Sequence, residues 1–118
     1  MSKISNYQFF TREDVYQALA KVIDPELHVD IVSLGLIYEV VVKKVQTEEG
    51  EKPFVHILLT LTTPGCPLAG VFDRMIKDAL KELPDLDVEH NTFIELTFDP
   101  PWIPDMMSAE AQAELGFD

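Results

Sequence analysis

The chain has 118 residues, 47% of them hydrophobic, which suits one domain around one ordinary core. Nine basic residues against 21 acidic ones leave a formal net charge of −12, a surface that repels nucleic-acid phosphates and anionic lipid headgroups and argues against both as partners. No apolar run approaches membrane-spanning length, residues 1–10 lack a signal-peptide pattern, and one cysteine cannot close an internal disulfide, so a cytoplasmic protein is expected.

After a polar lead over residues 1–10, Thr11 is placed as a helix N-cap, with Asp14 three residues on and Phe10 and Val15 spaced as a hydrophobic staple. Val15, Ala18, Leu19, Val22 and Ile23 form one apolar stripe, so the helix is predicted to run to Asp24-Pro25, where proline disfavours the α region. The first part of residues 24–38 is too irregular for a helix and too polar for a buried strand, and reads as a loop. Asp30 is expected to be a solvated carboxylate. Asp24 and Glu26 flank a proline that stiffens the pair and fixes their separation. As loop carboxylates they are not expected to carry stability. His28, alone in a loop, reads as a surface residue and not as a ligand. Gly35 predicts a tight turn or a close backbone approach.

A strand rich in β-branched residues is predicted over Ile37 to Val45, and a polar hairpin loop over Gln46 to Lys52. In the next strand Val55, Ile57, Leu59 and Leu61 alternate with Phe54, His56, Leu58 and Thr60, as a half-buried strand requires. These two strands are expected to be antiparallel neighbours. An amphipathic helix follows from Pro67 to about Leu83, with Leu68, Phe72, Met75, Ile76, Ala79, Leu80 and Leu83 on one side. Leu86 to His90 predicts a short strand, and Thr92 to Phe98 a further one with Ile94, Leu96 and Phe98 on one face. His56 and His90 lie on predicted strands without ligand spacing. From Asp99 to Met107, three prolines rule out regular structure, so the tail should lie extended across the domain. Trp102 would anchor that tail or meet a partner. Ser108 is placed to cap a last helix, Ala109 to Leu115, ended by Gly116. The order helix, strand, strand, helix, then one or two strands predicts an α+β fold, a two-layer sandwich with helices on one face of a small mixed sheet.

Between the second strand and its helix lies Thr60-Leu61-Thr62-Thr63-Pro64-Gly65-Cys66-Pro67, holding the only cysteine. Pro64 and Gly65 break the strand, and Pro67 suits the first helical position, which puts Cys66 at or beside the N-cap. Unpaired amides and the helix dipole favour a thiolate there, a nucleophile and soft-metal ligand. The net charge of −12 opposes this, but it is screened over about 10 Å. A free cysteine is most often a small buried hydrophobe; the Pro/Gly turn at a helix start favours a functional role.

Three segments together resemble one family. These are Asp24-Pro25-Glu26 with Asp30-Ile31 and Leu34-Gly35-Leu36-Ile37-Tyr38; the cysteine segment; and Asp99-Pro100-Pro101-Trp102 with Met106-Met107-Ser108 and Glu114-Leu115-Gly116. From about Thr11 onward the chain is similar to the SufT/PaaD-like iron–sulfur cluster assembly proteins. The resemblance implies a non-enzymatic role in maturing iron–sulfur proteins, with an assembly scaffold or apo iron–sulfur proteins as partners. It also implies a shallow site of Asp24, Glu26, Thr62, Thr63 and Cys66. His28 departs from it, because relatives often carry glycine or another small residue there.

Thiolate is the preferred protein ligand of iron–sulfur clusters, yet a cluster takes about four ligands and this chain offers one thiol. No cofactor is therefore expected to be held stably. What remains is transient transfer of a cluster or of iron, a cluster shared by the two chains of a homodimer, or an adaptor that never touches iron. Two further readings are a small enzyme with Cys66 as nucleophile and a histidine base, and a plain protein–protein interaction module using the acidic face and the tail, with Cys66 incidental.

Overall fold

The computed structural model describes residues 9–63 and 69–117, with the backbone alone at Ala69. Residues 1–8, 64–68 and 118 lie outside the described residues, and with them Cys66 and the predicted turn and helix start at Pro67.

The elements in order are α1 (Arg12–Leu19), β1 (Ile37–Thr47), β2 (Gly50–Leu59), α2 (Ala69–Leu80), β3 (Thr92–Leu96), a single 3-10 turn (Pro104–Met106) and α3 (Ala109–Leu115). The sheet order is β1-β2-β3. β1 and β2 form an antiparallel hairpin, while β3 pairs parallel to β2 after the crossover through α2, which makes the sheet mixed. Val55, Ile57, Leu59 and Leu61 point into the core with Val15, Leu19, Phe72, Ile76 and Leu80 from the helices, so the predicted alternation has the right phase.

Thr11 caps α1 in a full capping box, accepting from the Asp14 amide at 3.0 Å while Asp14 accepts from the Thr11 amide at 2.8 Å. The helix then stops at Leu19, one turn earlier than predicted. Val22 keeps its buried place, but Ile23 is turned outward to form an isolated antiparallel bridge with Asp30. Backbone pairing with the following loop takes over before Pro25 can end the helix. The hairpin is also tighter than predicted: pairing runs to Thr47↔Gly50, leaving only Glu48 and Glu49 as the turn. The Thr47 hydroxyl donates to the Gly50 carbonyl at 2.7 Å and accepts from the Glu49 amide, so polar residues at outward positions are zipped into the ladder.

The predicted strand at Leu86 to His90 is a turn. Asp87 accepts from the His90 amide through Oδ1, and its carbonyl accepts from the amides of His90 and Asn91. These local bonds satisfy the backbone that a strand would have paired. β3 ends at Leu96, so Phe98 packs against the core from outside the sheet.

Candidate functional site

The loop from Val22 to Leu36 is folded upon itself. The Asp24 amide donates to the Val29 carbonyl at 2.9 Å, the His28 amide to the Asp24 carbonyl at 2.8 Å, and the Ile31 amide to the Val22 carbonyl at 3.0 Å. Asp24 is only 4% exposed, and its Oδ1 accepts from the amides of Glu26 at 2.7 Å and Leu27 at 2.9 Å. Pro25 explains the pattern: it has no N–H to offer, and its fixed φ turns the next two amides back towards the carboxylate. The Asp-Pro-Glu spacing is thus a folded turn, with Asp24 inward and Glu26 exposed. His28 sits at φ +61, a left-handed conformation in which glycine, lacking a Cβ, is at ease.

Asp30 is half-buried instead of simply solvated. Its Oδ2 accepts from the Ser33 amide at 2.9 Å, starting one helical turn. Gly35, at φ +78, ends that turn: its amide donates to the Val32 carbonyl, and the Leu36 amide reaches back to the Ile31 carbonyl. This pair of bonds is the Schellman arrangement, for which glycine is the favoured residue.

Gly35 is also a point of close approach. A Cβ there would lie 2.3 Å from the Met106 carbonyl oxygen, so the tail crosses directly over it. Further bonds hold the tail down: Trp102 Nε1 donates to the Leu34 carbonyl at 2.6 Å, the Tyr38 hydroxyl to the Pro100 carbonyl at 2.7 Å, and the Ser108 amide to the Ser33 carbonyl at 2.8 Å. Met107 is buried beneath. On the other side, the Thr60 amide donates to the Leu36 carbonyl at 2.9 Å, and both Thr60 and Leu61 are buried. Leu34 to Tyr38 is therefore where the three sequence motifs meet.

Beyond Leu61 the chain comes to the surface, with Thr62 half-buried and Thr63 exposed. Cys66 lies outside the described residues. Among those described, no hydrogen bond joins Asp24 or Glu26 to Thr62 or Thr63, and no group of three or more His, Cys, Asp or Glu side chains is placed to hold a metal ion. A mostly apolar groove of about 280 Å³ runs between the sheet and α2, lined by Leu59, Leu61, Gly70, Phe72, Ile76, Ile94 and Leu96 together with Asp73. Two of the histidines are paired with acids: His56 Nε2 with Glu95 Oε1 at 2.9 Å, and His90 Nδ1 with Asp87 Oδ2 at 2.9 Å. The bond to His90 holds the Asp87 carboxyl below its ordinary range. Sequence reasoning did not foresee the structural work of Asp24, although an aspartate immediately before proline is itself a turn signal.

Fold and site together define a class: a small mixed-sheet α+β domain with a carboxylate turn, a segment after its central strand that pairs with Leu36, and a C-terminal strap bonded to Ser33, Leu34 and Tyr38. A family model described as iron-sulfur cluster assembly protein matches residues 12–90, and the chain belongs to that family. It is 41% identical over 105 residues to the Fe-S protein maturation auxiliary factor YitW of Bacillus subtilis, covering 89% of this chain and 93% of that one. It is 42% identical over 107 residues to an Fe-S protein maturation auxiliary factor of Porphyromonas gingivalis, covering 91% and 92% of the two chains. The crystal structure of a domain of unknown function from Bacillus anthracis superposes with a TM-score of 0.76 at 34% identity, over 90% of this chain and 92% of that one. The α+β fold expected from the sequence is thereby shown. No helix among the described residues is long and apolar enough to cross a membrane.

Proposed function

We propose that this chain is an auxiliary factor in the maturation of iron–sulfur proteins, acting through Cys66 as a transient carrier of a cluster or of iron, or as an adaptor. The observation that carries this reading is the likeness, over about nine tenths of both chains, to proteins named for that task. Those relatives are named as auxiliary factors and not as enzymes, which fits a non-enzymatic role. Cys66 supplies the soft ligand, and Glu26, Thr62 and Thr63 are the surface groups expected around it. Asp24 serves by fixing the turn that presents Glu26. The partners are an assembly scaffold or apo iron–sulfur proteins, met at the cysteine turn and at the half-exposed ring of Trp102.

Ligand arithmetic sets what the cargo can look like. One thiolate per chain must be supplemented by a second chain, a small thiol or carboxylate oxygen, the last a poorer partner for such clusters. A cluster held that way is labile, which suits handing it on. In cells lacking the endogenous protein, the wild-type chain should restore the activity of a cluster-dependent enzyme. Cys66→Ser should not, with the client's abundance unchanged. After anaerobic reconstitution the protein should carry at most one cluster per two chains, lost quickly to a thiol-rich acceptor. Full restoration by Cys66→Ser would sink the role of the thiol, and one air-stable cluster per chain would sink the carrier reading.

A further inference from the structure

The helices cover one face of the sheet. Register places three ranks of side chains across the other: Glu39, Leu58 and Glu95; then Val41, His56 and Phe93; then Lys43 and Phe54. Lys52, opposite Val45, lies beyond the last rank. Phe93 is 52% exposed, and Val41, Val45, Phe54 and Leu58, only partly buried, lie outside the set of side chains that pack against the core. The face is nonetheless ordered within itself. The His56 ring stacks on Phe93 with centroids 4.9 Å apart while holding Glu95, and the Lys43 ammonium lies 5.3 Å from the centre of the Phe54 ring. Side chains already held in place lose little freedom when a surface is covered.

Charge identifies what could cover it. The chain carries −12 overall, so two copies repel each other across most of their surfaces. This face carries two acids, Glu39 and Glu95, at one end and two lysines, Lys43 and Lys52, at the other, and is neutral as a whole. Two copies laid face to face about a twofold axis parallel to the strands would set acid on acid. With the axis across the strands, the Val41–His56–Phe93 rank meets itself, and Glu39 of each copy faces Lys43 of the other. Only the second arrangement is complementary.

We propose that the outer face of the sheet is a self-association surface, on which a second copy of this chain lies with its strands antiparallel to the first. Three strands about 4.8 Å apart and about 20 Å long offer only about 300 Å² of projected area per chain. A standard interface uses about 800 Å² per partner, so the dimer is weak.

The test is sedimentation of the full chain at physiological ionic strength, from about 5 to about 500 μM, across the range where a small interface associates. Wild type should show a reversible monomer–dimer equilibrium. Glu39→Lys and Lys43→Glu should each remain monomeric alone, yet associate one-to-one when mixed, because the mixture restores opposite charges at every contact. Phe93→Glu should be monomeric, with unchanged melting confirming that it is folded. As a measurement that needs no variant, amide shifts that move with concentration should map to Val41, His56 and Phe93 and not to the helices. A wild type monomeric throughout would overturn the proposal. So would a dimer surviving both charge reversals, a mixture no better associated than its parts, or concentration-dependent shifts on the helices.

Discussion

Replacing Asp24 tests whether the Asp-Pro-Glu turn is held as described. Asp24→Ala removes one carboxylate oxygen that accepts from two amides, at 2.7 and 2.9 Å, in a position 4% exposed. A hydrogen bond to a charged group contributes about 1.5–3 kcal/mol, but the Glu26 amide belongs to an exposed residue and can partly rehydrate, so the net loss should be about 2–4 kcal/mol. With an unfolding entropy near 2.1 cal/mol/K per residue, a chain of this length loses roughly 4 °C of Tm per kcal/mol, predicting a fall of about 8–16 °C. Asp24→Asn keeps an acceptor in place and should cost about 1 kcal/mol, or roughly 4 °C. Glu26→Gln should leave Tm unchanged. Calorimetry at neutral pH, with urea titration to check that the m-value is constant, measures all three. If Asp24→Ala melts within about 2 °C of wild type, a gap of under ~1 kcal/mol, the turn is not held by this carboxylate.

Gly35→Ala should cost at least ~2 kcal/mol and expose the tail to proteases, because the methyl group meets the Met106 carbonyl at 2.3 Å as well as a φ of +78. Gly116→Ala is its control: φ is +82 but nothing lies within 4 Å, so only the backbone cost of about 1 kcal/mol applies and tail proteolysis should not change. His28→Val should cost about 1–2 kcal/mol through the left-handed backbone and lower Tm, whereas His28→Gly should not lower it. Because His90 lowers the Asp87 carboxyl, that contribution to stability is present above the ordinary aspartate pKa and lost as pH falls through the depressed value. NMR titration should show Asp87 moving back towards the ordinary range in His90→Ala, and an unmoved titration would discard the pairing.

Periodicity made the sheet and the helices legible, since Val55, Ile57 and Leu59 bury themselves by a rule that needs only the neighbours in sequence. Element ends were less so, because they are decided by partners far along the chain or by side chains bonding their own backbone. The α1 stripe runs on to Ile23, yet the bridge to Asp30 removes that residue from the helix. Leu86 to His90 has strand composition, yet Asp87 bonds the amides that a strand would use. Gly35 was legible as a close approach, but not what approaches, because Met106 is distant in sequence. Within the site, Asp24 and Glu26 read as an equivalent pair; only the fold distinguishes a buried carboxylate from an exposed one.

That distinction bears on how loss of function in this turn should be assigned. Asp24, Asp30, Gly35 and Tyr38 each have a structural task, so their presence in the motifs needs no further cause. No hydrogen bond or ion pair to the side chains of Glu26, Thr62 or Thr63 occurs among the described residues, and chemistry is best sought there and at Cys66. The two groups are coupled, however, because one of the amides that Asp24 holds belongs to Glu26 itself. Removing the Asp24 carboxylate also frees the backbone that aims Glu26, so maturation should fall in Asp24→Ala even if Asp24 never meets cargo. The informative comparison is Asp24→Asn with Glu26→Gln, both of which keep shape and remove one charge. If Asp24 only positions, Asp24→Asn should retain maturation activity in proportion to its retained stability. Glu26→Gln should lose activity at wild-type stability. The reverse pattern would make Asp24 the reacting carboxylate and Glu26 a bystander on the surface.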